Sequence, residues 1–183
     1  MLKLKQKLEG KRIFLRRLTT DDASILLDVI PRNREDILSW MAFKENQIIP
    51  KDKNDAIRII KDINSWESNG DAVYYGIFIK DKFIGIVMAD LYLDDNHAEP
   101  GTFLDIYARG QGYAKEARLL LELELFSSGI TKIVVSVDKE NQPCINMINS
   151  LGYRKTKEVK NNFFSKFRNE YRDELIFEKL KTN

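Results

Sequence analysis

The chain has 183 residues, 43% hydrophobic and 32% charged, a composition ordinary for one globular domain with room for a real core. Thirty basic against 28 acidic side chains leave a formal charge of +2, which gives no support to a nucleic-acid footprint, normally a large basic excess. One cysteine (Cys144), one distant histidine (His97), no bilayer-length apolar run and no apolar leader point to a soluble, cytoplasmic protein without disulfide, membrane segment or metal.

In chain order, 12–18 (Arg-Ile-Phe-Leu-Arg-Arg-Leu) reads as a first strand, and the basic residues around it read as a solvated edge. Thr20, Asp21 and Asp22 supply capping oxygens for a helix with Ile25, Leu26, Val29 and Ile30 at helical spacing. After a break near Pro31 to Asn33, a short helix fits Glu35 to Met41. A third helix, Lys53 to Ser68, carries the stripe Ile57, Ile60, Ile63 and Trp66 and stops at Asn69-Gly70. Strands Val73 to Ile79 and Phe83 to Leu93 flank a tight turn at Lys80-Asp81-Lys82. A polar loop then leads to a strand over 101–107. A helix runs from Lys115 to Phe126, then a β-branched strand from Lys132 to Val137 and a helix from Gln142 to Ser150. Lys155 to Lys181 reads as two strands around Arg168-Asn169-Glu170. Without repeats or linkers, 1–183 reads as a single α/β domain with a mixed sheet.

The most informative segment is Arg109-Gly110-Gln111-Gly112-Tyr113-Ala114, between a strand and a helix. Two glycines there permit a tight turn and close backbone approach to a ligand. The first amides of the following helix lack carbonyl partners and, with the helix dipole, form an anion site. The loop reads as a pyrophosphate cradle. It is not a Walker loop, because Tyr113-Ala114 follows Gly112, nor a dinucleotide fingerprint, because Lys115 stands where the third glycine belongs.

Arg109, Gly112 and Ala114 fit Arg/Gln-x-x-Gly-x-Gly/Ala, which resembles the acyl-CoA loop of the GNAT superfamily of N-acetyltransferases. Downstream, Asn141 follows a strand and the next helix closes at Leu151-Gly152-Tyr153, similar to the family's second motif. Asn33-Arg34 with Leu38 and Trp40, Ala98-Glu99-Pro100-Gly101-Thr102-Phe103-Leu104, and Tyr171-Arg172-Asp173 resemble segments of the Rim-type ribosomal-protein N-terminal acetyltransferases. The resemblance implies a GNAT-like, mostly antiparallel sheet flanked by helices, with two central strands splayed around the pantetheine of acetyl-CoA. It implies pyrophosphate on Arg109, Gly110, Gln111, Gly112, Tyr113 and Ala114, oxyanion-binding amides around Leu104, Ile106 and Tyr107, and Asn141 on the pantetheine arm. Asn141 is equally an N-cap, and the two roles are compatible. A homodimer is a further implication of the resemblance.

The departures bear on chemistry. Cys144 replaces the branch's serine, and Ile148 stands where many members carry a tyrosine acid. Pro100 and Thr102 replace the usual Ile and Tyr. Cys144 reads as a proton donor favoured by the helix dipole, as an apolar filler, or as a nucleophile lacking an activating partner. Glu99 reads as a general base or as a surface carboxylate, with His97 as a substitute. A free α-amine, pKa about 8, is roughly one-tenth neutral at pH 7, whereas a lysine amine near 10.4 is neutral only to about four parts in ten thousand. An N-terminal acceptor therefore needs little help from a base. Trp40 and Phe43 suit a peptide groove, or core packing; Asp94, Asp95 and Glu99 would suit a polycation. The expected function is acetyl-CoA-dependent acetylation of a primary amine, a protein N-terminus first. Alternatives are a small amine (polyamine or aminoglycoside) and, given Ile148, a non-catalytic acyl-CoA sensor.

Overall fold

The structure, a computed structural model, describes residues 2–41, 44–165 and 167–182. Eight strands make one sheet, β1 (Lys7–Glu9), β2 (Phe14–Arg16), β3 (Ala72–Ile79), β4 (Lys82–Tyr92), β5 (His97–Leu104), β6 (Lys132–Asp138), β7 (Arg154–Ser165) and β8 (Glu170–Leu180). Their order is β1-β2-β3-β4-β5-β6-β8-β7, and every neighbouring pair is antiparallel except β5 with β6. The helices are α1 (Ala23–Arg32), α2 (Arg34–Trp40), α3 (Glu45–Ile48), α4 (Lys53–Asn69), α5 (Tyr113–Ser127) and α6 (Gln142–Ser150). The expected mixed, mostly antiparallel sheet flanked by helices is the observed fold.

The apolar run of β3 explains the layering, because both faces of a central strand must be covered. Val73, Tyr75 and Ile77 pack with Ala117, Leu121 and Leu125 of α5 and Ile148 of α6. Ala72, Tyr74 and Phe78 pack with Leu26 and Ile30 of α1 and Ile59, Ile60 and Ile63 of α4. The α4 boundaries follow local chemistry. Asp52 accepts from the Asp55 amide at 2.8 Å, and Gly70 ends the helix at φ +81°.

Several boundaries differ from the sequence reading. The first strand is shorter, and β1 precedes it as a three-residue edge too short to carry a periodic signal. α1 continues through Pro31 to Arg32. The four-residue α3 was not foreseen. β5 begins at His97, inside the expected polar loop, and stops at Leu104, where a 3-10 turn over Ile106–Ala108 takes over.

The feature that positions the site is a parting of strands. β4 and β5 pair continuously from Gly85↔Leu104 to Tyr92↔His97, whereas β5 meets β6 only at His97↔Lys132 and Ala98↔Ile133. The Asp105 amide donates to Ile84 O of β4, so by alternation the main-chain groups of Pro100, Thr102 and Leu104 turn toward β6. Pro100 has no N–H to continue a ladder, and the strands separate there. Two arginines cap carbonyls left over: Arg118 donates to Pro100 O at 3.0 Å and Arg109 to Leu104 O at 3.1 Å. Between them, the Thr102 N–H and C=O and the Leu104 N–H form a short edge facing the gap.

Candidate active site

At the open end of the gap lies the glycine loop. Gly110 and Gly112 hold φ of +74° and +80°, a region costly for any residue with a Cβ. Gly112 is the N-cap of α5, and Glu116 is the first residue whose amide finds an in-helix carbonyl, that of Gly112 at 3.1 Å. The amides of Tyr113, Ala114 and Lys115 therefore precede the helical ladder, as an anion cradle requires. Arg12, from the β1–β2 connection, braces the loop from outside. Its Nη1 donates to Gln111 O and its Nε to Glu116, both at 2.8 Å, and its guanidinium lies 4.8 Å from the Tyr113 ring.

Behind the loop is a polar latch that the sequence reading missed. Asp105 is 1% exposed and accepts from Arg32 at 3.1 and 2.7 Å and from Asn33 Nδ2 at 3.1 Å. Those bonds hold its carboxyl below the usual aspartate range, the Arg32 bonds contributing most. Asn33 Oδ1 in turn accepts from the Ile106 amide at 2.9 Å and from Arg109 Nη2 at 3.1 Å. Arg109 also pairs with Asp36 of α2. The latch ties the α1–α2 junction to the end of β5 and to the loop.

Two clefts meet in the gap. The larger, about 600 Å³, is lined by Leu104, Arg109, Gly110, Gly112, Ala114 and Lys115 on one side and by Asn141, Pro143 and Met147 on the other. The smaller, about 340 Å³, runs between β5 and β6 past Glu99, Thr102, Arg118 and Val135. Trp40, Met41, Thr102, Asn141, Cys144 and Met147 line both. Asn141 caps α6 through Oδ1, which accepts from the Cys144 amide at 3.2 Å. Its Nδ2 has no partner among the described residues.

Acidic groups gather at the smaller cleft. Asp90 and Glu99 stand directly opposite across β4 and β5, and Glu174 and Asp138 line the same space. Asp138 is neutralised by Arg172, at 2.6 and 3.0 Å. No hydrogen bond or ion pair reaches the Asp90 carboxylate among the described residues. Glu99 lies 3.7 Å from His97, which stacks on Tyr92 with ring centroids 4.5 Å apart. Desolvation raises the Glu99 pKa; His97 opposes the rise, and the charges of Asp90 and Glu174 add to it.

Other expected site residues fall elsewhere. Ile106 and Tyr107 are 54% and 75% exposed, and their side chains line neither cleft. The Ile106 amide is taken by Asn33, whereas the Leu104 N–H faces the gap. The Gln111 carbonyl and the Tyr113 ring face Arg12 rather than the cleft. Trp40 lies at the junction of the clefts with Arg168 4.3 Å from its ring. Phe43 lies outside the described residues. Asp94 and Asp95 do not reach the clefts. For Cys144, burial overrides the expected dipole effect and pushes the thiol pKa up, with Arg118 opposing the shift. Among the described residues, no group of three His, Cys, Asp or Glu could hold a metal, and no helix is long and apolar enough to cross a membrane.

Comparison with known proteins agrees with this geometry. The family model "Acetyltransferase (GNAT) domain" matches residues 12–154. An uncharacterized N-acetyltransferase, p20 of Bacillus licheniformis, is 28% identical over 155 residues, 82% of this chain and 83% of the relative. The solved Microcin C7 self immunity acetyltransferase MccE superposes with a TM-score of 0.84 at 19% identity, covering 94% of each chain. The ribosomal-protein-S5-alanine acetyltransferase of Vibrio fischeri does so with a TM-score of 0.83 at 16% identity, covering 98% of each. With its family model spanning the glycine loop, the parted strands and the Asn141 helix, this chain belongs to the GNAT acetyltransferases and is an acyltransferase.

Proposed function

We propose that the protein transfers an acetyl group from acetyl-CoA to a primary amine, with a protein N-terminal α-amine as preferred acceptor. The observation that carries this reading is the junction of two clefts at Thr102, Asn141 and Cys144, between strands that part after Ala98. The larger cleft suits CoA: the helix amides after Gly112 and Lys115 for pyrophosphate, and Asn141 Nδ2 with the Thr102 edge for an extended amide chain. The Leu104 N–H is the donor suited to the developing oxyanion. Arg109, tied to Asp36 and Asn33, lends shape more than free charge.

The smaller cleft suits the amine. Glu99, its pKa raised toward the working range, takes the proton from nitrogen, directly or through water. Cys144 keeps its proton at neutral pH and is placed to give it to the departing thiolate. Trp40 and Met41 border the junction as apolar contacts for a peptide. The MccE structure holds acetyl-CoA and AMP, and the Vibrio fischeri relative is named for an alanine of ribosomal protein S5, which supports the donor and the acceptor class respectively. The lone cysteine and the donor are in keeping with a cytoplasmic enzyme.

The wall of Asp90, Glu99 and Glu174 favours a second reading, a small polycationic amine. Thiol release from acetyl-CoA, measured against peptides with free Ser, Ala or Met ends and against polyamines and aminoglycosides, separates the two. Activity confined to small amines overturns the preferred acceptor. Tight acetyl-CoA binding with no release on any amine identifies a sensor.

A further inference from the structure

Beneath the gap, on the face covered by α5, lies Arg118, 1% exposed and lining the smaller cleft with Thr102, Val135 and Cys144. Its Nη1 donates to Pro100 O at 3.0 Å and its Nη2 to the Tyr153 hydroxyl at 3.4 Å. Among the described residues its Nε has no hydrogen-bond partner, and neither has the buried Thr102 Oγ1. Glu122 approaches Nε only to 4.0 Å and already accepts from the Tyr153 hydroxyl at 2.7 Å and from Lys179 at 2.8 Å. Arg118 and Lys179 thus share one buried carboxylate, and the floor carries surplus positive charge.

A methyl-sized acyl pocket needs no such group, and a buried guanidinium with unspent N–H groups costs free energy unless something accepts from it. The cleft's carboxylates lie on the other face of the sheet. Ala98 and Leu104 pack in the α5-side core and Phe103 in the α1-side core, so by alternation Thr102 faces α5 whereas Glu99, with Asp90 opposite, faces α1 and α2. On β6, Val135 and Val137 face α5, so Asp138 turns to the α2 face, with Glu174 opposite it on β8. The gap therefore has an acidic side for the amine and a cationic floor under the acyl group.

Resting on the acyl-CoA reading above, we infer that the acyl pocket accepts, besides acetyl, a short acyl chain ending in a carboxylate, of the malonyl or succinyl kind, held by Arg118 and Thr102. In that transfer the acceptor nitrogen forms an amide bond to the thioester carbon and the C–S bond breaks. One proton passes from nitrogen to the sulfur, CoA leaves as the thiol, and the distal carboxylate is unchanged.

The test is calorimetric titration of the full chain with acetyl-CoA, succinyl-CoA and butyryl-CoA, the last matching succinyl in length without its charge. The wild type is expected to bind succinyl-CoA at least tenfold tighter than butyryl-CoA. Arg118→Met should bring that ratio to one or below, and Arg118→Lys should keep part of it. Should Arg118→Met fail to fold, Thr102→Val reports in its place, with the ratio lowered about threefold. A wild-type ratio of one or less overturns the inference while acetyl-CoA binding leaves the acetyltransferase reading intact; so does a ratio that Arg118→Met or, in its place, Thr102→Val leaves unchanged. Absence of binding by all three esters overturns both.

Discussion

Asp105→Asn removes one charge from the latch behind the glycine loop and changes almost no volume. In the native protein the carboxylate accepts two bonds from Arg32 and one from Asn33. Hydrogen bonds to charged groups contribute about 1.5–3 kcal/mol each, against about 0.5–1.5 for neutral ones. The amide keeps one acceptor oxygen and turns an N–H₂ toward other donors. Arg32 is partly exposed and recovers some solvation, so the net loss should be about 2–4 kcal/mol. For 183 residues, unfolding entropy near 2.1 cal/mol/K per residue turns that into a fall in Tm of roughly 5–10 °C. The pH dependence follows from linkage. The Asp105 pKa is depressed in the folded state, so its contribution is fully present above the unfolded value of 3.8 and fades as pH falls through the folded one. Thermal melts from pH 7 downward should show a constant gap between wild type and variant that narrows below about pH 4. A gap under about 2 °C at pH 7, or one undiminished at the lowest pH where both fold, would refute the latch.

Three further outcomes follow from the site. Glu99→Gln should remove the acid limb of the kcat/KM–pH profile; Asp90→Asn, by deleting a like charge opposite Glu99, should shift that limb to lower pH, and a shift upward would contradict the coupling. Asn141→Asp should keep the cap and the Tm while weakening CoA binding by about tenfold, the N–H donor being lost, whereas Asn141→Ala should also cost about 1 kcal/mol of stability. Calorimetry with melts distinguishes a donor to ligand from a cap alone. Cys144→Ser should retain most of kcat and Cys144→Ala should not; equal losses in single-turnover assays rule out the proton-donor role.

What could be read from residues alone divides along sequence distance. The glycine loop, the α4 caps and the Asn141 cap are local: each depends on side chains within a few positions and on backbone preferences that glycine or a short polar side chain signals. The parting of β5 from β6 is not local, although Pro100 marks where a ladder bond is lost. Asn33 meets Asp105 and Arg109 across more than 70 positions, so no spacing rule links it to them. Arg118 shares the helix face of Ala117, Leu121 and Leu125, but a charged side chain in that stripe does not announce its own burial; Pro100 O, Tyr153 and Glu122, which converge on it, are distant in sequence or polar themselves. The amides of Ile106 and Tyr107 were expected at the oxyanion; the chain instead bends into a 3-10 turn over both, and the Ile106 amide goes to Asn33 of the latch.

The central claim is that the α5 amides after Gly112 hold the CoA pyrophosphate, and Ala114→Glu tests it most directly. Ala114 lines the larger cleft and is only partly packed on the core, so a first-turn glutamate, favoured there by the helix dipole, places negative charge in the anion cradle while a melt run alongside checks the fold. Titration with acetyl-CoA should give one site on the wild type and an affinity at least tenfold weaker on the variant. Equal affinity on both proteins would contradict the account.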